Sequence, residues 1–152
     1  MRRIGFSTGA LARGDFRSGL AILHRHKIDV LELSALRVRE LAPLAQAIPD
    51  LDLSEFTFVS IHAPSRFAPE EEAWVVKHLR VLADRGFPIV VHPDVIFNPY
   101  RWLVLGDRLL IENMDKRKLI GRTADDLAVS SEFYRQPGFA SISAMRAKWT
   151  RA

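Results

Sequence analysis

The sequence contains no cysteine, and this absence narrows the chemistry open to the chain. It excludes disulfide bonds, thiolate metal ligands and a thiol nucleophile together. A metal site in this chain therefore needs histidine, aspartate and glutamate as its ligands. The sequence also lacks a glycine-rich nucleotide fingerprint and a serine in a strained nucleophile elbow, which argues against nucleotide binding and serine-hydrolase chemistry.

Long apolar runs are absent as well. The sequence has no stretch of about 18 apolar residues that would predict a membrane span. Its first residues lead directly into a strand pattern, without the apolar core of a signal peptide. We therefore expect a cytoplasmic protein with no membrane partner.

Positive charge is concentrated at the C-terminal end. The formal net charge is +4, from 22 basic and 18 acidic side chains. Residues 133–152 contain four basic residues and no acidic one, which leaves 18 basic and 18 acidic side chains in the rest of the chain. A nucleic-acid partner usually requires a basic face on the folded domain, so we do not expect one here.

The remaining sequence alternates short apolar runs with stretches of helical spacing. Hydrophobic residues make up 48% and charged residues 26%, a balance typical of a globular domain. The apolar runs are residues 3–7, 30–33, 56–62, 88–92 and 108–112. Helices are predicted at about residues 15–27, 37–47, 69–86, 100–105 and 123–133. This order predicts an α/β fold with about five parallel strands and outer helices, as in a partial (β/α) TIM-type barrel.

The alternation is lost near residue 134. We therefore expect a partial barrel domain over residues 1–133 and an irregular basic tail over residues 134–152. A complete eight-fold barrel needs about 250 residues, so the predicted fold is truncated. When residues 136–152 are back-translated with GC-rich codons and read two nucleotides later, one permitted translation contains an Asp-x-x-His motif. Our hypothesis is that the tail is out-of-frame sequence, which the coding DNA would test.

Polar residues stand at the end of every predicted strand, where parallel α/β folds place their ligands. These residues are Ser7, Glu32, His62, His92 followed by Asp94, and Glu112 followed by Asn113 and Asp115. Strands of such sheets are normally apolar throughout, because both faces are covered. Histidine and glutamate at successive strand ends are costly there unless they pair with each other or bind a ligand.

Each of these residues has an alternative, purely structural role. His62 or His92 alone would suit a hydrogen-bonded histidine at a strand end. Glu112 follows an apolar run and needs a cation or several hydrogen-bond donors. Together, two imidazoles and one carboxylate from adjacent strands predict a site for a divalent ion such as zinc or manganese. Glu32 fits three roles equally well: metal ligand, acceptor for a sugar hydroxyl, or partner of an arginine inside the barrel.

Three strand ends resemble one known family. Residues 58–64, 89–94 and 109–115 are similar to the third, fourth and fifth strands of xylose isomerase-like TIM barrels. That superfamily includes sugar-phosphate isomerases and epimerases, and also apurinic-site nucleases of the endonuclease IV type. The resemblance covers about residues 3–132.

The resemblance implies a barrel that binds a divalent ion, Zn, Mn, Mg or Co, at the carboxyl ends of its strands. His62 and His92 match histidines of the endonuclease-like branch, and Glu112 matches a glutamate found widely in the superfamily. Glu112 and Glu32 are then the candidate catalytic carboxylates, with a small sugar or sugar phosphate as substrate. The candidate substrate-binding residues are Ser7, Asp94, Asn113 and Asp115.

The sequence departs from the family in one respect. It has neither the Asp-x-x-His of the sixth strand nor the glutamate of the eighth. We therefore expect an isomerase- or epimerase-like protein with weak or no activity and with incomplete retention of its metal. Two alternatives stay open: an endonuclease IV-like phosphodiesterase or hydrolase, and a non-catalytic domain that assembles with another chain, including a second copy joined through open sheet edges.

Overall fold

The computed structural model describes residues 5–115, 117–123 and 125–126. In these residues five short strands form one parallel sheet in the order β1-β2-β3-β4-β5. The strands are β1 Gly5–Ser7, β2 Val30–Ser34, β3 Phe58–His62, β4 Ile89–Val91 and β5 Leu109–Ile111. The predicted α/β fold with about five parallel strands is confirmed. The sheet is open and not closed into a barrel, with β1 and β5 at its two edges.

Helices connect the successive strands. They are α1 Thr8–Ala12, α2 Phe16–Leu23, α3 Val38–Ala47, α4 Glu72–Asp84 and α5 Pro99–Trp102. Short 3₁₀ segments add Ile48–Asp50, Pro69–Glu71, Pro93–Val95 and Leu103–Arg108. The irregular tail predicted at residues 134–152 lies outside the described residues, as does most of the helix predicted at 123–133.

Local capping explains where the first two helices begin. The Asp15 carboxylate accepts a hydrogen bond from the backbone N–H of Ser18 (3.0 Å) and so caps the start of α2. Sequence analysis did not predict α1. It forms because the Ser7 hydroxyl accepts from the backbone N–H of Gly9 (3.2 Å) and caps it. Helix α2 ends at Leu23, earlier than predicted, since the following residues 24–27 are all polar and offer nothing to bury.

The two faces of the sheet have different surroundings. On one face five strand side chains are fully buried in a core shared with the helices. They are Leu31, Leu33, Ile61, Ile89 and Val91. On the opposite face Val30, Glu32 and Val90 are half-buried and Phe58 is 43% exposed. We call this second face, defined by those four residues, the open face.

A buried carboxylate organises the connection that follows β4. Glu72, at the start of α4, is only 1% exposed. Its Oε1 accepts hydrogen bonds from the backbone N–H groups of Phe97 (2.7 Å) and Asn98 (2.9 Å) and from Nε1 of Trp102 (2.9 Å). Its Oε2 lies 3.3 Å from Nη1 of Arg101. The charge of Glu72 is thus balanced by several donors, as a buried ion requires.

We expect replacement of Glu72 by alanine to lower the free energy of unfolding by about 3 kcal/mol, because it leaves buried N–H donors without acceptors. Urea unfolding followed by circular dichroism measures the change. Glu70→Ala, at an exposed position two residues earlier, is the matched control. Equal stability of the two variants would contradict the assigned role.

In the described part of the chain, no helix combines the length and apolar character required to cross a membrane.

Self-association through the open sheet edges stays a prediction. Unpaired edge strands present free backbone N–H and C=O groups to other chains. We expect the weight-average mass to rise with protein concentration in sedimentation equilibrium. A constant monomer mass across a hundredfold concentration range would show that the edges do not pair.

Candidate metal centre

Three adjacent strand ends carry the candidate site. His62 is the last residue of β3, while His92 and Glu112 directly follow β4 and β5. The backbone pairing continues beyond the strands, since the N–H of Glu112 donates to the carbonyl of Val91 (2.9 Å). Because side chains alternate along each strand and paired residues share a face, all three side chains project from the open face.

The three side chains converge on one point. Nε2 of His62 and Nε2 of His92 each lie 3.0 Å from Oε2 of Glu112. One donor atom from each residue lies within 4.8 Å of the other two. The imidazole rings meet edge to face, with centroids 5.0 Å apart. An ion held at about 2.0 to 2.2 Å from each donor needs a similar arrangement, so this group could bind a metal ion.

Hydrogen bonding determines which nitrogen of His62 carries its proton. Nδ1 of His62 lies 2.7 Å from the carbonyl oxygen of Ala63, which can only accept a hydrogen bond. Nδ1 is therefore the donor, and in the neutral ring Nε2 has a bare lone pair. That lone pair points at a carboxylate oxygen of Glu112, so a proton or a metal ion must lie between the two atoms.

Without a metal ion, a proton lies between Nε2 of His62 and the carboxylate oxygen of Glu112. Burial lowers the pKa of His62 most strongly, yet the hydrogen bond to Glu112, the charge of Glu32 and the Ala63 carbonyl together raise that pKa above its ordinary value. The hydrogen bonds from His62 and His92 lower the pKa of Glu112 to about 2. Glu112 is thus an anion at neutral pH, ready to pair with a cation.

Asp94 lies behind His92, on the side away from Glu112. Its Oδ1 is 3.8 Å from Nδ1 of His92, and its Oδ2 is 2.6 Å from Nζ of Lys118. Nδ1 of His92 and Oδ1 of Asp94 are both buried, and neither has a hydrogen-bond partner in the described structure. Asp94, predicted to bind substrate, therefore lies next to one of the candidate metal ligands, with its side chain 30% exposed.

The structure separates the other predicted residues from this cluster. Ser7 donates to or accepts from the Ser34 hydroxyl (2.7 Å) at the β1 edge. Asn113 is exposed, and the exposed Asp115 forms an ion pair with Arg117. Glu32 is not among the three converging residues, but it is close enough for its charge to act on His62.

Two contributors to the site were missed at the sequence level. The Ala63 carbonyl fixes the proton of His62. Lys118, which sequence analysis did not single out, forms an ion pair with Asp94. No pattern in the sequence could reveal either contact, because one is a backbone group and the other spans 24 residues between two loops.

Comparisons with protein-family models, with curated proteins and with solved structures give no match for this chain. The likeness of the strand ends to xylose isomerase-like barrels thus stays a prediction, and what the site does has to be argued from its own geometry.

We expect the Glu112→Gln substitution to lower the pKa of His62 in metal-free protein, since it removes the anion that stabilises the imidazolium. Histidine proton shifts followed by NMR across pH measure this. Because the folded pKa of His62 is raised, its stabilising effect is complete below the unfolded pKa of about 6.5 and fades as pH rises through the folded value. An unchanged titration in the variant would rule out the proposed pairing.

Proposed function

We propose that this chain binds a divalent transition-metal ion through Nε2 of His62, Nε2 of His92 and a carboxylate oxygen of Glu112. The observation that carries the proposal is the convergence of two imidazole nitrogens on one carboxylate oxygen, each at 3.0 Å. Two nitrogen ligands and one oxygen ligand favour Zn, Mn or Co over Mg, which prefers oxygen alone. Three protein ligands are also typical of catalytic zinc sites, which keep a position free for substrate.

We further propose that the site serves sugar or sugar-phosphate isomerase or epimerase chemistry. A divalent ion in such a site polarises a carbonyl or hydroxyl group of the substrate. The chain itself must then supply a group that moves a proton. Glu32 suits this role, because it lies on the open face and its charge reaches His62 without its being part of the converging group.

The surroundings of Glu32 support a substrate rich in hydroxyl groups. The strand register pairs Glu32 with Ser7 on one side and with Ser60 on the other. Ser34 adds a further hydroxyl and lies beside His62 in the same register. This row of small polar side chains leads across the sheet to the candidate metal ligands. Ser34 and Ser60 are only 1% and 5% exposed, so the half-buried Ser7 and Glu32 are the members of this row that a substrate can reach. The small serines add no bulk that would exclude a sugar.

Metal binding is the first test. We expect isothermal titration of the metal-free protein with Zn²⁺, Mn²⁺ or Co²⁺ to show one site per chain. His62→Ala and Glu112→Ala should each weaken binding at least a hundredfold, because each removes one of three ligands. His26→Ala removes an exposed histidine away from the site and is the matched control.

Equal affinity of the His62→Ala, Glu112→Ala and His26→Ala proteins would overturn the metal proposal. A thermal unfolding curve of each metal-free variant shows whether it is folded, so that a lost site is not mistaken for a lost fold.

Activity is the second test. We expect metal-loaded protein to isomerise or epimerise a panel of keto- and aldo-sugar phosphates weakly, and Glu32→Gln to reduce kcat at least a hundredfold. Metal affinity should stay within a few-fold of the unmodified protein, since Glu32 is not a ligand in this arrangement. Glu70→Gln serves as the control. Cleavage of an abasic-site duplex, without sugar isomerisation, would replace this proposal with the phosphodiesterase alternative.

A further inference from the structure

Two buried polar atoms next to the candidate metal group have no partner. They are Nδ1 of His92 and Oδ1 of Asp94, and they face each other at 3.8 Å. An unpaired buried polar atom costs about 1 to 3 kcal/mol. A ring nitrogen can donate and a carboxylate oxygen accepts, so a shift of about 1 Å would satisfy both atoms at once.

The contact that His92 makes through its other nitrogen, Nε2, explains why Nδ1 of His92 and Oδ1 of Asp94 are not hydrogen-bonded. Nε2 of His92 is drawn to Oε2 of Glu112 at 3.0 Å, where His62 also points. With both imidazoles gathered on one oxygen, Nδ1 of His92 stays beyond hydrogen-bond distance of Asp94. Two donors that each lie about 2 Å from one tetrahedral ion are about 3.3 Å apart. An ion between the three donors would therefore move Nε2 of His92 away from Oε2 of Glu112, now at 3.0 Å, and toward Asp94 by a few tenths of an ångström.

Asp94 is held firmly enough to receive the ring. Nζ of Lys118 lies 2.6 Å from its Oδ2 and leaves Oδ1 free to face His92. The loop that carries Lys118 is packed closely on the turn that carries Asp94. At Gly121, where φ is +78°, an added Cβ would lie 2.5 Å from Cγ of Pro93. The backbone N–H of Met114 also donates to the carbonyl of Gly121 (2.7 Å), which closes the loop.

We infer that Asp94 is the positioning residue for His92. When Nε2 of His92 binds the ion, Nδ1–H donates to Oδ1 of Asp94, which fixes both the tautomer and the plane of the ring. This inference rests on the proposed metal function and deepens it. Under this inference Asp94 does not bind the substrate. It orients His92 instead.

The two histidines would then be oriented by different acceptors. His62 donates to a backbone carbonyl, whereas His92 would donate to a carboxylate. Both kinds of outer partner are common behind metal-bound histidines, and a carboxylate makes the imidazole the stronger ligand. Loss of Asp94 should therefore weaken metal binding although the residue never touches the ion.

Affinity tests the inference with a matched pair of carboxylates. We expect Asp94→Ala to weaken Zn²⁺ binding about 10- to 100-fold, the range usual for lost outer partners. Asp94→Asn keeps an acceptor oxygen and should recover part of that loss. Asp115→Ala removes the same charge from the neighbouring loop, where the Asp115 carboxylate hydrogen-bonds to Arg117, and should change the affinity less than threefold.

A spectroscopic measurement separates positioning from simple stability. In Zn²⁺-loaded protein labelled with ¹⁵N-histidine, we expect the Nδ1–H signal of His92, assigned by its absence in His92→Gln, to exchange slowly with water. The signal should stay protected in Asp94→Asn and be lost to exchange in Asp94→Ala. The Nδ1–H of His62 should be unchanged in both variants.

The outcomes distinguish this inference from the metal proposal. If unmodified protein binds no ion, both fail together. If it binds the ion, but Asp94→Ala and Asp115→Ala weaken binding equally, only the positioning role fails. Should Asp94→Ala not fold, fast exchange of the His92 Nδ1–H in unmodified, Zn²⁺-loaded protein would by itself overturn the inference, and slow exchange that persists in Asp94→Asn would support it.

Discussion

Each strand of the sheet pairs in parallel with the strand that precedes it in the sequence, and the positions of the polar groups follow from that pairing. Parallel strands end at the same edge of a sheet, so the residues that terminate β3, β4 and β5 have to meet. The helices cover the face that carries Leu33 and Ile61. The side chains of His62, His92 and Glu112 therefore project from the open face, where they contact one another.

That contact creates an electrostatic problem inside the fold. One oxygen of Glu112 faces two imidazole nitrogens, and Nδ1 of His62 already donates its proton in a hydrogen bond to the Ala63 carbonyl. A positive charge is needed to hold the three groups together. The raised pKa of His62 and the lowered pKa of Glu112 describe how protons supply that charge in the metal-free protein. The proposed divalent ion would therefore compete with protons for the same position.

Sequence patterns predicted the positions of the strands and helices well, because the spacing of apolar residues that marks each element lies within a short stretch of the chain. The five strands and four of the five helices begin and end within a few residues of their predicted bounds, apart from the early end of α2. The trio of His62, His92 and Glu112 was also foreseen, since parallel strand ends are neighbours in any such sheet. The network behind it was not. The contacts of Glu72 with Trp102 and of Lys118 with Asp94 depend on how loops fold back, which no local period encodes.

The strand order has one more consequence, for the order of events during folding. Since every strand pairs with its immediate predecessor, the sheet needs only short chain closures, and such topologies fold faster than those with distant pairings. All three converging side chains come from residues 58–112, a segment that contains β3, β4 and β5 in succession. The cluster is therefore complete once these three strands have docked, before β1 has to join. An ion captured at that stage would act as a nucleus for the C-terminal half of the sheet and would bias the chain toward its native register from the centre outward.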